Sequence, residues 1–442
     1  VLGLFPLSGP DEVDKAVDAA SRAGAKWRKL PAPKRGEIIF KAAEIMVQRK
    51  EELARRMTME MGKVLKEARG DVQEGIDMTY YMAAEGRRLF GNTTPSELPN
   101  KYALSMRVPV GVVGAITPWN FPFAIPTWKI MPALVAGNTV VFKPSPFTPE
   151  MAYYLVKILE EAGLPPGVIN LIYGEGPVLG VPLVEDPRVT LVSFTGSTKV
   201  GGEIAQRGAR LGKRYSLEMG GKNAIIVMED ADLDLAVEAI IWSAFGTSGQ
   251  RCTAASRIII QRSILSHLTE KIISRAERLR LGDGLLTTTD VGPVIHQEAL
   301  DKILRYIKIG LDEGAKLFSG GHRATDGELA KGFFVHPTVF GDVKPKMRIA
   351  QEEIFGPVTA LIPVDTLEEA IAVNNDTPYG LVASIFTRDV NRAFRAMEDI
   401  TTGIVYINSG TIGAEVHLPF GGTRGTGNGH REAGQAALDV YT

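Results

Sequence analysis

An α/β fold divided between two sizeable domains is what this sequence predicts, on three observations. The chain has 442 residues, and single hydrophobic cores stop growing near ~250–300 residues, so one core cannot serve all of it. Short apolar runs alternate with amphipathic segments along most of its length, the rhythm of a mostly parallel sheet with helices on its faces. Hydrophobic residues make up 45% and charged residues 23%, an ordinary globular composition that excludes a disordered or fibrous chain.

Across residues 33–61, Ile38, Ile39, Ala42, Ile45, Met46, Leu53 and Met57 recur at steps of three and four among Lys, Arg and Glu, which predicts an amphipathic helix. A second helix is expected over 64–90. The stretch 91–109, "GNTTPSELPNKYALSMRVP", opens with turn formers and ends in alternation, as a protruding hairpin arm would. Strand and helix then alternate through "VGVVGAIT", "FAIPTWKIMPALVAG", "NTVVFK", "TPEMAYYLVKILEEAG", "VINLIY" and "VTLVSFTGS", the last opening another helix. From near Gly221 a comparable series resumes with "NAIIVM", "LDLAVEAIIWSAF" and "SRIIIQ". It continues through long helices at 265–279 and 300–311 to "PVTALIPV", "TLEEAIAVNN", "LVASIF" and "GIVYIN". No fixed-period repeat or low-complexity segment interrupts this pattern.

Lys plus Arg number 50 against 51 for Asp plus Glu, so no strong field gathers nucleic acid or anionic membrane, and a small molecule is the expected partner. No apolar stretch reaches the ~20 residues of a spanning helix. The opening "VLGLFPLSG" has neither a basic lead nor an Ala-x-Ala-like site, which argues against a signal peptide. It also lacks an initiating Met, so the natural start is expected upstream. A single cysteine cannot form an intramolecular disulfide, which favours a reducing compartment, the cytoplasm by default.

Several segments carry residue types suited to chemistry. In "ITPWNFPF", Asn120 follows a predicted strand, with Pro118 and Pro122 restricting the backbone on either side. Open α/β sheets bind ligands at the carboxyl ends of strands, and a held Asn amide is a good donor to an oxyanion; a turn Asn bonding only its own backbone is the alternative. "VVFKPS" ends a strand with Lys143, whose amine either reaches a phosphate or ribose or is simply solvated. In "SFTGSTKVG", Gly196 allows close approach while Ser197 and the helix-start amides face a phosphate. That segment lacks the G-x-G-x-x-G spacing, and a plain strand-to-helix turn reads equally well. "LEMGGKN" sets Glu218 before Gly220 and Gly221, where a carboxylate serves as general base toward water or stays at the surface.

Cys252, the only cysteine, stands in "FGTSGQRC". A free cysteine is usually buried and inert, but Gly246, Ser248, Gly249, Gln250 and Arg251 make a polar loop unlike an apolar packing site. Near helix-start amides such a thiol is expected to be held as the attacking thiolate. None of the six histidines stands in a pair or cluster with ligand spacing, so no metal is expected.

Taken in order, "TPWNFPFAIPTWKIMPALVAGNTVVFKPS", "FTGSTKVG", "LEMGGKN", "GTSGQRC", "EEIFGPV" and "PFGGTRGTGNGHREAG" resemble the aldehyde dehydrogenase superfamily over nearly the whole chain. The resemblance implies an NAD(P)-dependent, hydrolytic, non-acylating enzyme. It also implies a Rossmann-like cofactor domain at 1–90 and 110–220, an oligomerisation arm at 91–109, a second α/β catalytic domain at 221–420 and a return segment at 421–442. A homodimer or homotetramer follows from the arm. Cys252 matches the nucleophile, Asn120 with the Cys252 amide the oxyanion donors, and Glu218 the base for hydrolytic water. Lys143, counted with the catalytic set as well, and Glu353 match the ribose contacts, and Phe355 the residue against the nicotinamide. Trp119, Gly196 and Ser197 lie where the family meets the pyrophosphate, and Thr117, Pro118, Ser145, Pro146 and Gly220 complete the implied cofactor contacts. Ile125, Trp128, Arg251, Thr253 and residues 414–418 match the lining of the aldehyde tunnel.

Three departures qualify the match. Pro146 stands three residues after Lys143, where NAD-preferring members often carry Glu, so NADP acceptance is expected, with Lys143 and Ser145 near the extra phosphate. The chain begins inside the family's first domain and stops at "ALDVYT", short of the usual terminal strand. Arg251 beside the nucleophile either favours a carboxylated semialdehyde or pairs with a core acid. The rival readings are a coenzyme-A-acylating semialdehyde dehydrogenase, which generally lacks the base at Glu218, and a non-catalytic protein retaining the fold. A cysteine peptidase is a third, and it needs a histidine partner that the sequence does not place.

Overall fold

The alternating pattern becomes two sheets in the computed structural model, which describes residues 1–442. Three helices come first: α1 (Pro10–Trp27), α2 (Ala32–Met61) and α3 (Leu65–Glu85). Strands β1 (Thr93–Pro95) and β2 (Tyr102–Leu104) pair antiparallel as an exposed hairpin, with Thr93 opposite Leu104. The first sheet is built from β3 (Val112–Ile116), β4 (Thr139–Lys143), β5 (Ile169–Leu171), β6 (Val189–Thr195) and β7 (Arg214–Glu218). Its order is β5-β4-β3-β6-β7 with every pair parallel. Between these strands lie α4 (Ala124–Ala136), α5 (Pro149–Glu161), α6 (Gly176–Glu185) and α7 (Thr198–Arg210). Helices on both faces explain why "TVVFK" of β4 is apolar nearly throughout and wholly buried rather than alternating.

The second sheet has seven strands: β8 (Asn223–Val227), β9 (Ala255–Gln261), β10 (Lys316–Ser319), β11 (Thr338–Gly341), β12 (Val358–Val364), β13 (Val382–Phe386) and β14 (Ile404–Ile407). They run in the order β10-β11-β12-β9-β8-β13-β14, with β10 antiparallel and the rest parallel. Helices α8 (Leu233–Phe245), α9 (Leu265–Glu277) and α10 (Gln297–Asp312) cover it. No helix is long and apolar enough to cross a membrane.

The largest core cluster does not follow chain order. It joins α2, α3 and α4 to one face of the first sheet and then recruits Phe420, Ala433, Leu438 and Tyr441 from beyond the second sheet. Two details differ from the sequence reading. The helix expected over 64–90 stops at Glu85, where Gly86 caps it. Helix α1 went unread although Pro10, Asp11 and Glu12 mark its first turn, Glu12 accepting the Gly9 N–H at 2.8 Å. The two sheets present opposite ends to the space between them. Asn120, Lys143, Gly196 and Glu218 stand at or beyond the carboxyl ends of β3, β4, β6 and β7, while Gly221, Cys252 and Phe355 precede the amino ends of β8, β9 and β12.

Candidate active site

A cavity of about 500 Å³ occupies that seam. The first sheet's loops line it with Pro118, Trp119, Asn120, Thr195, Gly196 and Ser197, and α4 adds Ile125. Cys252, Glu353, Ile354 and Phe355 face them, with Met219 and Gly220 at the crossover and His296, Glu298, Ala299, Lys302 and Arg305 from the start of α10 and its cap.

The loop holding Cys252 is strained and tightly secured. After α8 the chain makes a 3₁₀ turn, Gly246–Gly249, in which Thr247 (φ 50°), Ser248 (φ 54°) and Gly249 (φ 68°) are all left-handed. A β-branched Thr there is a true outlier, and such strain persists only where surroundings over-determine the backbone. Those surroundings are visible. Buried Glu67 of α3 accepts the Thr247 N–H at 2.8 Å and its hydroxyl at 2.7 Å, and the Ser248 hydroxyl donates to the Gly292 carbonyl at 2.6 Å. Asn223, first residue of β8, donates to the carbonyls of Cys252 at 2.6 Å and Ala254 at 3.0 Å. A Cβ on Gly221 would lie 2.6 Å from the Cys252 carbonyl oxygen, and one on Gly249 would lie 2.1 Å from that of Gly356, so only glycine admits these approaches.

The Cys252 thiol itself corrects the sequence expectation. No α-helix begins at this loop, and burial, then Glu218, Glu353 and Glu74, pushes the thiol up to about 12. Burial and the three acids thus oppose ionisation of the thiol in this structure.

Asn120 is buried, and its position rests on an ion pair that the sequence reading overlooked. Lys63 Nζ donates to the Asn120 carbonyl at 2.7 Å and to Asp71 at 2.8 Å, both side chains fully enclosed. Asp71 also accepts the Ala124 N–H at 2.8 Å, closing the loop onto α4. The Asn120 amide gives one hydrogen to the Gln250 carbonyl at 3.1 Å, leaving a second. The Cys252 backbone N–H donates to no group of the chain.

Glu218 ends β7, and its backbone is stitched to the return segment: the Met219 N–H reaches the Thr426 carbonyl at 2.7 Å. Its Oε1 has no partner. Burial, with Glu432 adding repulsion against the opposing Lys129 and Arg431, holds its carboxyl well above the usual range. Beyond it Lys129 pairs with Glu432 and donates to Ser193 at 3.3 Å, which lies 3.0 Å from the Tyr441 hydroxyl.

The other side of the cavity suits a dinucleotide. Ser197 caps α7 by accepting the Val200 N–H at 3.3 Å, which leaves the amides of Thr198 and Lys199 as an anion-ready helix start. A Cβ on Gly220 would lie 2.8 Å from Glu353 Oε2, and Glu353 in turn accepts the Gly221 N–H at 3.0 Å. Trp119 and left-handed Phe355 (φ 60°) meet edge to face at 5.6 Å. Burial raises the Glu353 carboxyl against the lowering effect of the Gly221 N–H, Lys302 and Lys222.

Other expected contacts lie off this cavity. Thr117 and Pro146 do not line it, Ser145 spends its hydroxyl on the Phe147 N–H at 3.2 Å, and Lys143 turns onto the Pro144 carbonyl at 3.0 Å. Burial drops the Lys143 amine to about 8. Trp128 packs edge-on against Phe420 at 5.0 Å, and the Thr253 carbonyl takes the Thr411 hydroxyl at 2.6 Å. Arg251 does meet a core acid, Glu67, at 3.8 Å, and its Nε donates to Thr247 at 2.9 Å. Conversely, His296, Lys302 and Arg305 were missed because α10 reads as an ordinary amphipathic helix.

Comparison with known proteins agrees with this geometry. The family model described as "Aldehyde dehydrogenase family" matches residues 1–442. The chain is 46% identical over 442 residues to the alpha-ketoglutaric semialdehyde dehydrogenase of Bacillus subtilis, covering all of this chain and 91% of that protein. Among solved structures, betaine aldehyde dehydrogenase of Staphylococcus aureus in complex with NAD+ superposes with a TM-score of 0.97 at 36% identity, over 99% of this chain and 86% of that one. An NADP dependent enzyme of E. coli superposes at 0.96 with 38% identity, over 100% and 90%. With full-length matches of both kinds, the chain belongs to the aldehyde dehydrogenase family and is an NAD(P)-dependent oxidoreductase of aldehydes.

Proposed function

We propose that this chain oxidises an ω-semialdehyde to the acid through Cys252, with Asn120 and Glu218 in the supporting roles. The observation that carries the reading is the lone cysteine at the seam beside two unengaged hydrogens, its own backbone N–H and the second amide hydrogen of Asn120. Attack by the sulfur on the carbonyl carbon gives a thiohemiacetal oxyanion, and those two donors stabilise it. The thiol proton is released to solvent as the S–C bond forms. When bound, NAD or NADP supplies the acceptor for the hydride. The thioester left on Cys252 needs an activated water, and the ionised form of Glu218 takes that proton as the water attacks. An enclosed base favours water over coenzyme A as acyl acceptor.

For the cofactor we assign Trp119, Gly196, Ser197, Gly220, Glu353 and Phe355 as contacts, on their shared cavity. Both NAD and NADP are accepted on this reading, since no carboxylate stands at Pro146 to repel a 2′-phosphate. We divide the chain at the seam into a cofactor domain (1–90 and 110–220), an arm (91–109), a catalytic domain (221–420) and a return segment (421–442). The arm, with exposed Leu98, Tyr102 and Leu104, supports a homodimer or homotetramer, and the single unpaired cysteine suits the cytoplasm. The semialdehyde substrate is supported by the B. subtilis relative.

The test is NADH and NADPH formation with aliphatic, aromatic and ω-oxo-acid aldehydes. The highest kcat/KM is expected for the oxo acids, and Cys252→Ala should fall to background, ~10³-fold or more. Aldehyde-dependent turnover surviving in Cys252→Ala would falsify this reading.

A further inference from the structure

Asn120 and Cys252 stand on loops of different sheets, so an element outside both sheets must set the distance between them. The direct link is a single hydrogen bond, from the Asn120 amide to the Gln250 carbonyl at 3.1 Å. Helix α3 supplies more. Its Glu67 and Asp71 fall at positions i and i+4, one turn and ~6 Å of rise apart on the same face. Each carboxylate is enclosed and spent on a different loop.

Glu67 serves the second sheet's loop. Both its oxygens accept the Thr247 N–H at 2.8 Å, and Oε2 also accepts the Thr247 hydroxyl at 2.7 Å, which ties down the left-handed turn leading into Cys252. That turn in turn holds Gln250, whose backbone N–H and side-chain Nε2 donate to the Thr247 carbonyl at 2.9 and 3.2 Å. Asp71 serves the first sheet's loop. Its Oδ1 accepts the Ala124 N–H and its Oδ2 the Lys63 ammonium, each at 2.8 Å. Lys63 donates onward to the Asn120 carbonyl at 2.7 Å and lies 4.0 Å from the centre of the Phe121 ring. The two supports meet again at Gly292. A Cβ there would lie 2.1 Å from the Gly62 carbonyl oxygen, against the linker that carries Lys63, and its own carbonyl takes the Ser248 hydroxyl.

We propose that Glu67 and the Lys63–Asp71 pair are positioning residues, which hold the Cys252 sulfur and the second Asn120 amide hydrogen at the separation the oxyanion needs. None of the three lines the cavity, so they act through the two loops. The proposal rests on the aldehyde-oxidising reading and assigns the setting of its first step to α3. A carboxylate accepts several hydrogen bonds at once, and here two of them are carried on one rigid helix. Movement of either loop is therefore passed to the other instead of being absorbed between the sheets. A misplacement of about 1 Å at such a site costs ~10²-fold in rate.

The readout is the rate constant of the NAD(P)H burst at saturating cofactor and aldehyde, which, unlike the burst amplitude, does not depend on the folded fraction. Glu67→Ala, and Lys63→Met combined with Asp71→Asn, should each slow it ~10²-fold. The dissociation constant for NADH, read by fluorescence, should stay within about twofold, since no cofactor contact is removed. Glu67→Gln keeps an acceptor for the Thr247 N–H and should recover all but ~3-fold. In an Asn120→Ala background the Lys63→Met and Asp71→Asn changes should cost less than about threefold more, because their effect passes through Asn120. Thr247→Val removes only the hydroxyl bond to Glu67 and decides the matter should the other variants not fold; a burst ~5-fold slower is expected. Wild-type burst rates with only amplitude or Tm reduced, in these variants or in Thr247→Val, overturn the positioning role, as do losses that multiply in full with Asn120→Ala. Absence of a burst in the wild type overturns the aldehyde-oxidising reading instead.

Discussion

The two sheets reach the site by opposite ends, and the difference explains what each supplies. The first offers the carboxyl ends of its strands, where α/β folds generally hold ligands, and delivers Asn120 and Gly196 on loops leaving the sheet and Glu218 at the end of β7. The second offers amino ends, and there the strand starts act as anchors: Asn223 opens β8 and grips the Cys252 carbonyl just before β9 begins. On the proposed reading, the reacting sulfur is therefore fixed by one sheet, while its oxyanion donor and its base come from the other. Neither sheet alone contains a working site.

That division can be broken step by step. Glu218→Gln should have the largest effect on steady turnover, ~10²–10⁴-fold. An initial burst of NAD(P)H in stopped flow should persist, because only thioester hydrolysis is lost. Asn120→Ala strikes the earlier step and should slow the burst itself by ~10²–10³-fold. If both variants lost the burst equally, the separation of roles along the first sheet's edge would be wrong. The mildest change sits at the crossover. Gly220→Ala pushes a methyl into the Glu353 carboxylate, and the cofactor KM should rise about tenfold, the ~1.4 kcal/mol cost of a displaced contact. Differential scanning should meanwhile show little change in Tm.

Legibility in the sequence followed the same boundary. Strands buried on both faces, such as "NAIIVM" and "LVASIF", announced themselves by continuous apolar runs. Strand β7, "RYSLE", is half polar, with Arg214 exposed and Glu218 buried, so no apolar run betrayed it. The site residues that sequence reading found stand in Gly- and Pro-marked loops, Asn120 and Cys252 above all. It missed what only packing creates: the Lys63–Asp71 pair joins the linker after α2 to the second turn of α3 and looks like surface charge in a string. The protonation of Cys252 was also beyond reach, because three of the acids that raise it, Glu218, Glu353 and Glu74, lie far apart in the chain.

The return of residues 420–441 to the first core has an outcome for synthesis. Ser193 and Tyr441 stand 248 residues apart, and Lys129 and Glu432 303 apart. A nascent chain emerging from the ribosome can assemble the five strands early, yet the partners that neutralise Lys129 and seal the hydrophobic layer are translated last. The half-made first sheet must wait with an uncompensated lysine and open apolar surface, the kind of interval in which chaperones bind.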